Sequence, residues 1–217
     1  MSQKANIISN AVICSVLVIL SVFVFTMDLS ETFVDITAPL YSGDARSKSV
    51  SFMFTVDETA TAANVTQITQ SLENARSSAT FFVSGGWVGK NIELTRTLAQ
   101  KYELGNYGFS GGKLNLSDSA KIKNEIEQTH NLVSSVANYK MKLFTPPEQK
   151  YNKTTLSAAE GLGYTTVLPT QKTTPGYKGG DLILIPVNAD TADDLDRIIS
   201  NILSQNLRIV CVGDIIF

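Results

Sequence analysis

The stretch Ser51-Phe52-Met53-Phe54-Thr55-Val56-Asp57-Glu58 is an apolar run that ends in two adjacent carboxylates and is followed by Thr59-Ala60-Thr61-Ala62. A short apolar run with polar bounds, leading into helix-period spacing, reads as a buried strand with acids at its C-terminal end. In α/β folds that end of a strand is where chemistry sits. Asp57 and Glu58 are therefore the first candidate site residues. Carboxylates in this position also form turns and cap helices, so a purely structural role stays open beside the chemical one.

Toward the C-terminus, strand-like and helix-like segments alternate. Val65, Ile68, Leu72 and Ala75 recur at helical spacing, and Ala79–Val83 is a second short buried strand, broken by Gly85-Gly86. Leu94, Thr95, Leu98 and Tyr102 mark another helix, which leads into Glu103–Tyr107. Ser117 is the expected cap of a long helix with the stripe Ile122, Ile126, Thr129, Val133 and Val136. Met141–Phe144 is a strand stopped by Pro146-Pro147, and the helix through Leu156, Ala159 and Leu162 is expected to end at Gly161 or Gly163. Thr165–Leu168, Leu182–Ile185 and Arg208–Val212 read as the closing strands. Before the last of them, Thr191 is expected to cap a helix with Asp193 and Asp194 in its first turn and a core face of Leu195, Ile198, Ile199, Ile202 and Leu203. Apolar strands alternating with amphipathic helices predict an all-parallel sheet covered by helices, as a barrel or a doubly wound sheet.

Toward the N-terminus, residues 11–27 are uninterrupted apolar residues with Ser and Thr, and extension back to Ile7 supplies the ~20 residues a bilayer core requires. The run is longer than the roughly 7–15 residues of a signal-peptide core and no A-x-A site follows, so a retained anchor is expected. Lys4 precedes it and Asp28, Glu31 and Asp35 follow, which places residues 1–10 in the cytoplasm and the body outside the cell membrane. Residues 28–48 read as a linker with room for a short strand, and 49–217 as the folded body.

Composition excludes several functions. The 217-residue chain has a formal net charge of −2, with acids and bases interspersed, and so lacks the basic face nucleic acid requires. The Gly-Gly pairs at 85, 111 and 179 match no phosphate-loop pattern. His130 is the single histidine, which excludes sites built on two imidazoles, and its place beside the stripe of the long helix reads as structural. Cys211 reads as core packing in an apolar strand, and no serine or cysteine nucleophile set is present. Trp87, Tyr107, Phe109 and Tyr151 fall in or near segments that follow strands. Their rings suit carbohydrate stacking at a barrel mouth, or equally the packing of that mouth.

Four stretches carry a resemblance. Thr55-Val56-Asp57-Glu58, Ala79-Thr80-Phe81-Phe82-Val83, Glu103-Leu104-Gly105-Asn106-Tyr107-Gly108-Phe109-Ser110-Gly111 and Leu143-Phe144-Thr145-Pro146-Pro147 resemble the T-F-D-D, A-T-F-F-V, E-I-G-N-H-x-x-S-H and F-R-P-P motifs of the polysaccharide deacetylase (NodB-homology) family. Gly161–Tyr164 and Gly179–Ile185 fit its closing strands, so the match covers nearly all of residues 50–217, in order. The resemblance implies a distorted (β/α) barrel, here preceded by one transmembrane helix, and metal-dependent N-deacetylation of cell-wall glycan. It puts Asp57 at the general-base position and Glu58 at the metal-aspartate position. Tyr107 and Gly111 stand where the family has metal histidines, Thr145 where it has an arginine, and Pro186 where it has the acid histidine.

Metal-assisted amide hydrolysis needs about three protein ligands to hold the ion and acidify its water. Asp57 and Glu58 cannot supply them alone, so no metal or other cofactor is expected and Asp57 is a vestigial base. The expected function is a non-catalytic, membrane-anchored deacetylase-like domain that binds cell-wall glycan or serves the envelope structurally, with Glu58, Tyr107, Phe109, Tyr151 and Trp87 as binding residues. A protein-interaction module and a residual deacetylase with an atypical site are the alternatives. Two neighbouring carboxylates without a dication repel each other, so the Tyr107 hydroxyl is expected to donate a hydrogen bond to one of them.

Overall fold

The computed structural model describes residues 13–17, 38–170 and 176–217. The chain divides into two compact units, Met1–Ile36 and Thr37–Phe217. In the first, residues 13–17 are helical and exposed. Among the described residues no helix is long and apolar enough to cross a membrane, and the anchor expected over 11–27 lies outside them apart from 13–17.

In the second unit the elements alternate as the sequence predicts. They run β1 (Ser49–Val56), α1 (Ala62–Asn74), β2 (Thr80–Val83), α2 (Gly85–Lys90), α3 (Ile92–Lys101), β3 (Glu103–Asn106), α4 (Ser119–Ala137), β4 (Leu143–Phe144), α5 (Lys153–Glu160), β5 (Thr165–Thr166), β6 (Leu182–Pro186), α6 (Ala189–Ser204), β7 (Arg208–Val210) and α7 (Gly213–Ile216). The strands form one parallel sheet in the order β5-β4-β3-β2-β1-β6, and β7 pairs with the first residues of β1. The expected barrel is realised as a parallel half-barrel. Leu40 pairs with Val167 beyond β5 and Ser42 with Asp181 before β6, so residues the sequence assigns to a linker are hydrogen-bonded to both flanks of the sheet. Leu40 and Ser42 thus pack with the second unit, as the short strand allowed for in the linker.

A parallel strand buried on both faces favours apolar side chains and excludes charged ones, and β1 is buried at every position, with Val50, Phe52, Met53, Phe54 and Val56 apolar and the Ser51 hydroxyl donating to the Val210 carbonyl. Its register with β2 sorts those side chains by the pleat. Phe54 lies beside Phe81 and Val56 beside Val83, on the face packed under the helices. Phe54 and Phe81 stack with ring centroids 5.1 Å apart. Met53, Phe82, Tyr107, Leu143 and Leu182 share the opposite, concave face with Val212 and Ile215. A side chain at Gly105 would overlap the Phe82 ring, so that position on β3 must be glycine for the concave face to fill.

Helix ends depart from the sequence reading in two places. Asp118, not Ser117, caps α4, accepting from the Lys121 N–H at 2.8 Å. Asn188, not Thr191, caps α6, accepting from the Thr191 N–H at 2.9 Å, while the Thr191 hydroxyl donates to the Pro186 carbonyl. The earlier start puts Asp190, rather than Asp193 and Asp194, in the first turn. The core face of α6 is Ala192, Leu195, Ile199 and Ile202, and Leu203 is 40% exposed because it lies one position off the i, i+4, i+7 row.

Candidate functional site

The concave face opens at the C-terminal ends of the strands into a cavity of about 890 Å³ lined by Thr55, Asp57, Tyr107, Glu148, Tyr177, Leu184 and Pro186 among others. Of the two acids that follow β1, Asp57 lines the cavity and Glu58 does not; Glu58 sits in the turn after the strand, against α2. There the Glu58 carboxylate accepts from the Lys90 ammonium of α2 at 2.8 Å and packs on Gly86, where a side chain would overlap it. Asp57 Oδ1 accepts from the Thr59 N–H at 2.9 Å and the Thr59 hydroxyl at 2.6 Å, and its carbonyl accepts from the Ala60 N–H. The turn-forming role is realised, and Asp57 still faces the cavity.

The loop after β3 is held by Glu125 of α4. Its Oε2 accepts from the N–H groups of Phe109 and Ser110, at 2.8 and 2.7 Å, and from the Ser110 hydroxyl. This places Gly111 at the mouth, where an added Cβ would sit 3.4 Å from the Asp57 Cβ. Gly111 has φ +65°, a left-handed conformation that a larger residue adopts only at a cost.

The hydrogen bond expected from Tyr107 to a carboxylate is not the one the structure contains. The Tyr107 hydroxyl accepts from the backbone N–H of Glu148 at 3.2 Å. Glu58 pairs with Lys90, and Asp57 accepts two hydrogen bonds from Thr59, so the phenol is not drawn to either. Burial pushes the Tyr107 phenol above its ordinary pKa; the Glu148 N–H opposes this and the charges of Asp57 and Glu148 add to it. Glu148 and Gln149, which follow Pro146-Pro147, both have positive φ, +52° and +59°. Two successive non-glycine residues in that region make a strained turn, and both line the cavity.

The remaining candidates separate. Trp87 is 1% exposed and its indole N–H donates to the Ala60 carbonyl at 2.9 Å, so it is a core side chain and offers no stacking face. Phe109 is half-buried against Gly85. The Tyr151 hydroxyl meets that of Tyr41 at 2.5 Å, outside the cavity lining. Thr145 is buried and donates to the Val167 carbonyl. His130 Nδ1 meets the Tyr164 hydroxyl at 2.5 Å, and that hydroxyl also accepts from the Asn106 amide, a structural network under the helices. Cys211 is half-buried, and burial first, then the Glu103 charge, pushes its thiol up to about 12. Sequence reasoning did not single out Lys90, Glu148, Gln149 or Tyr177. Lys90 lies 32 residues from its partner, and left-handed backbone at Glu148 and Gln149 has no glycine to mark it.

These residues do not fit a metal. Among the described residues no three acids, histidines or cysteines converge. Glu58 lies outside the cavity lining and pairs with Lys90, Gly111 brings no side-chain donor, and a phenol kept protonated is a poor ligand.

A parallel half-barrel with strand-end residues around a concave mouth defines a class of α/β domains. Within it the chain belongs to the polysaccharide deacetylase family, whose description matches residues 43–167. The uncharacterized protein YlxY of Bacillus subtilis is 23% identical over 196 residues, covering 82% of this chain, which spans 60% of that protein's length. BA3943 of Bacillus anthracis, a CE4 family pseudoenzyme, superposes with a TM-score of 0.76 at 20% identity, over 82% of this chain and 69% of its own. The Bc1960 peptidoglycan N-acetylglucosamine deacetylase superposes with the same TM-score, 0.76, at 20% identity over 85% of this chain and 95% of its own. These likenesses establish a shared fold.

Proposed function

We propose that this chain is a membrane-anchored, extracytoplasmic deacetylase-like domain that binds cell-wall glycan without hydrolysing it. One observation carries the reading: of the two acids that follow β1 only Asp57 lines the cavity, and Glu58 lies outside that lining, paired with Lys90. A hydrolytic metal needs about three ligands around one point, and Tyr107, Gly111 and Thr145 add none. The pseudoenzyme BA3943 is a precedent for this fold without activity, and a peptidoglycan deacetylase with the same fold supports a glycan as the ligand class. The apolar run 11–27 and the charges around it support the anchor and its orientation.

Three measurements on the full-length protein test this. Metal analysis after equilibration with zinc or cobalt should find substoichiometric metal, deacetylation of N-acetylated glycan fragments should stay at background, and peptidoglycan should retain the protein. Stoichiometric metal with turnover abolished by Asp57→Asn would overturn the non-catalytic reading. Protease added to intact protoplasts should digest the body, and a soluble, shortened protein in the medium would overturn the anchor.

A further inference from the structure

The mouth cavity carries a charge that its walls do not balance. Of the described residues lining it, Asp57 and Glu148 are acids and none is a lysine, arginine or histidine. Glu148 is matched from outside the lining by Lys150 at 3.0 Å and Lys113 at 3.4 Å. Glu58 is matched by Lys90 and is not part of the lining. Among the described residues the partners of the Asp57 carboxylate are neutral, the N–H and hydroxyl of Thr59. The rest of the described lining includes the apolar Leu184, Pro169 and Pro186, the ring of Tyr177 and the hydroxyl of Thr55. The volume, about 890 Å³, is that of a small-ligand pocket.

An unmatched carboxylate against low-dielectric walls attracts a cation more strongly than it would in water. An acetamido group gives it at most a neutral N–H and brings a carbonyl oxygen that the carboxylate repels. An ammonium gives a charge-assisted hydrogen bond. Apolar and aromatic walls suit the C–H faces of a pyranose ring, and the Thr55 hydroxyl its hydroxyl groups.

We infer that this cavity, on the basis of the glycan-binding reading above, prefers an amino sugar with a free ammonium over its N-acetylated form, and that Asp57 holds the ammonium. The site thus reads the de-N-acetylated state of a glycan.

Calorimetric titration of the full-length protein with a glucosamine tetramer and an N-acetylglucosamine tetramer tests this. The charged tetramer should bind about tenfold tighter or better, the worth of one hydrogen bond to a charged group. Asp57→Asn should remove the preference while keeping the turn, because the amide oxygen still accepts from the Thr59 N–H. Glu93→Gln, at an exposed acid on α3, should leave it intact and so exclude general attraction to an acidic protein. Equal or tighter binding of the acetylated tetramer, a preference that survives Asp57→Asn, or one lost equally in Glu93→Gln would overturn the inference and leave glycan binding standing. Binding of neither tetramer would overturn glycan binding, and the inference with it.

Discussion

Replacing Tyr107 with phenylalanine removes one oxygen and leaves the ring. That oxygen accepts the backbone N–H of Glu148 at 3.2 Å, from a side chain 7% exposed, and steadies a turn in which Glu148 and Gln149 both hold positive φ. A hydrogen bond of this kind contributes about 0.5–1.5 kcal/mol net, and a buried donor left without a partner costs roughly 1–3 kcal/mol. The cavity beside the turn admits water, so the lower part of that range applies, about 1–1.5 kcal/mol. For a domain of roughly 150–250 residues each kcal/mol shifts Tm by about 2–4 °C, so Tyr107→Phe should melt about 2–6 °C lower. The amide donor does not titrate, and the phenol is held above its ordinary range, so the loss should be the same at pH 3 and pH 8, on either side of the ordinary carboxylate range of about 4. A phenol donating to a carboxylate would behave differently, its contribution fading as the acid protonates. Thermal melts at both pH values, with hydrogen exchange at the Glu148 amide, separate the two. An unchanged Tm, a loss that fades in acid, or unchanged exchange at Glu148 would refute the assignment.

Other predictions address metal, core and pH. Tyr107→His with Gly111→His should not create a tight zinc site, because Glu58 stays with Lys90 and residue 111 is held at φ +65°; tight zinc binding in the double variant, by calorimetry, would contradict the dispersed ligand set. Trp87, the one tryptophan, should emit at short wavelength in the native protein and shift to the red on unfolding, and Trp87→Phe should cost about 1–3 kcal/mol in urea unfolding through the orphaned Ala60 carbonyl and the lost ring volume. Burial pushes Tyr102 and Tyr164 up to about 12, and Cys211 likewise. Their protonated forms are favoured by folding, so this stabilisation is complete below the unfolded values of about 9–10 and is lost as pH rises toward 12, which urea midpoints between pH 8 and pH 11.5 will follow. Native Cys211 should correspondingly resist alkylation at pH 8 and react at once in denaturant.

Much of the architecture is local and was legible for that reason. A strand buried on both faces is rich in apolar residues and free of charge, and a covering helix must repeat its apolar residues at 3.6, so β1, β2, β6 and the stripes Val65–Ile68–Leu72 and Ile122–Ile126–Val133 declare themselves without their neighbours. Caps are less determinate. Asp118 and Ser117, or Asn188 and Thr191, are all competent acceptors, and the choice follows from where the preceding loop delivers the chain.

The sequence by itself determined the order of elements, the acids at the end of β1 and the lack of a histidine pair. Only the tertiary structure decided what each side chain meets. Glu58 finds Lys90 32 residues on, Tyr107 finds the Glu148 amide 41 residues on, and Leu40 finds Val167 at the far flank of the sheet. Trp87, with a ring fit for either a sugar or a core, went to the core because α2 packs its inner face beneath the mouth and the Ala60 carbonyl is there to receive its N–H. Such partners are set by closure of the sheet, which brings together residues that no window of sequence contains.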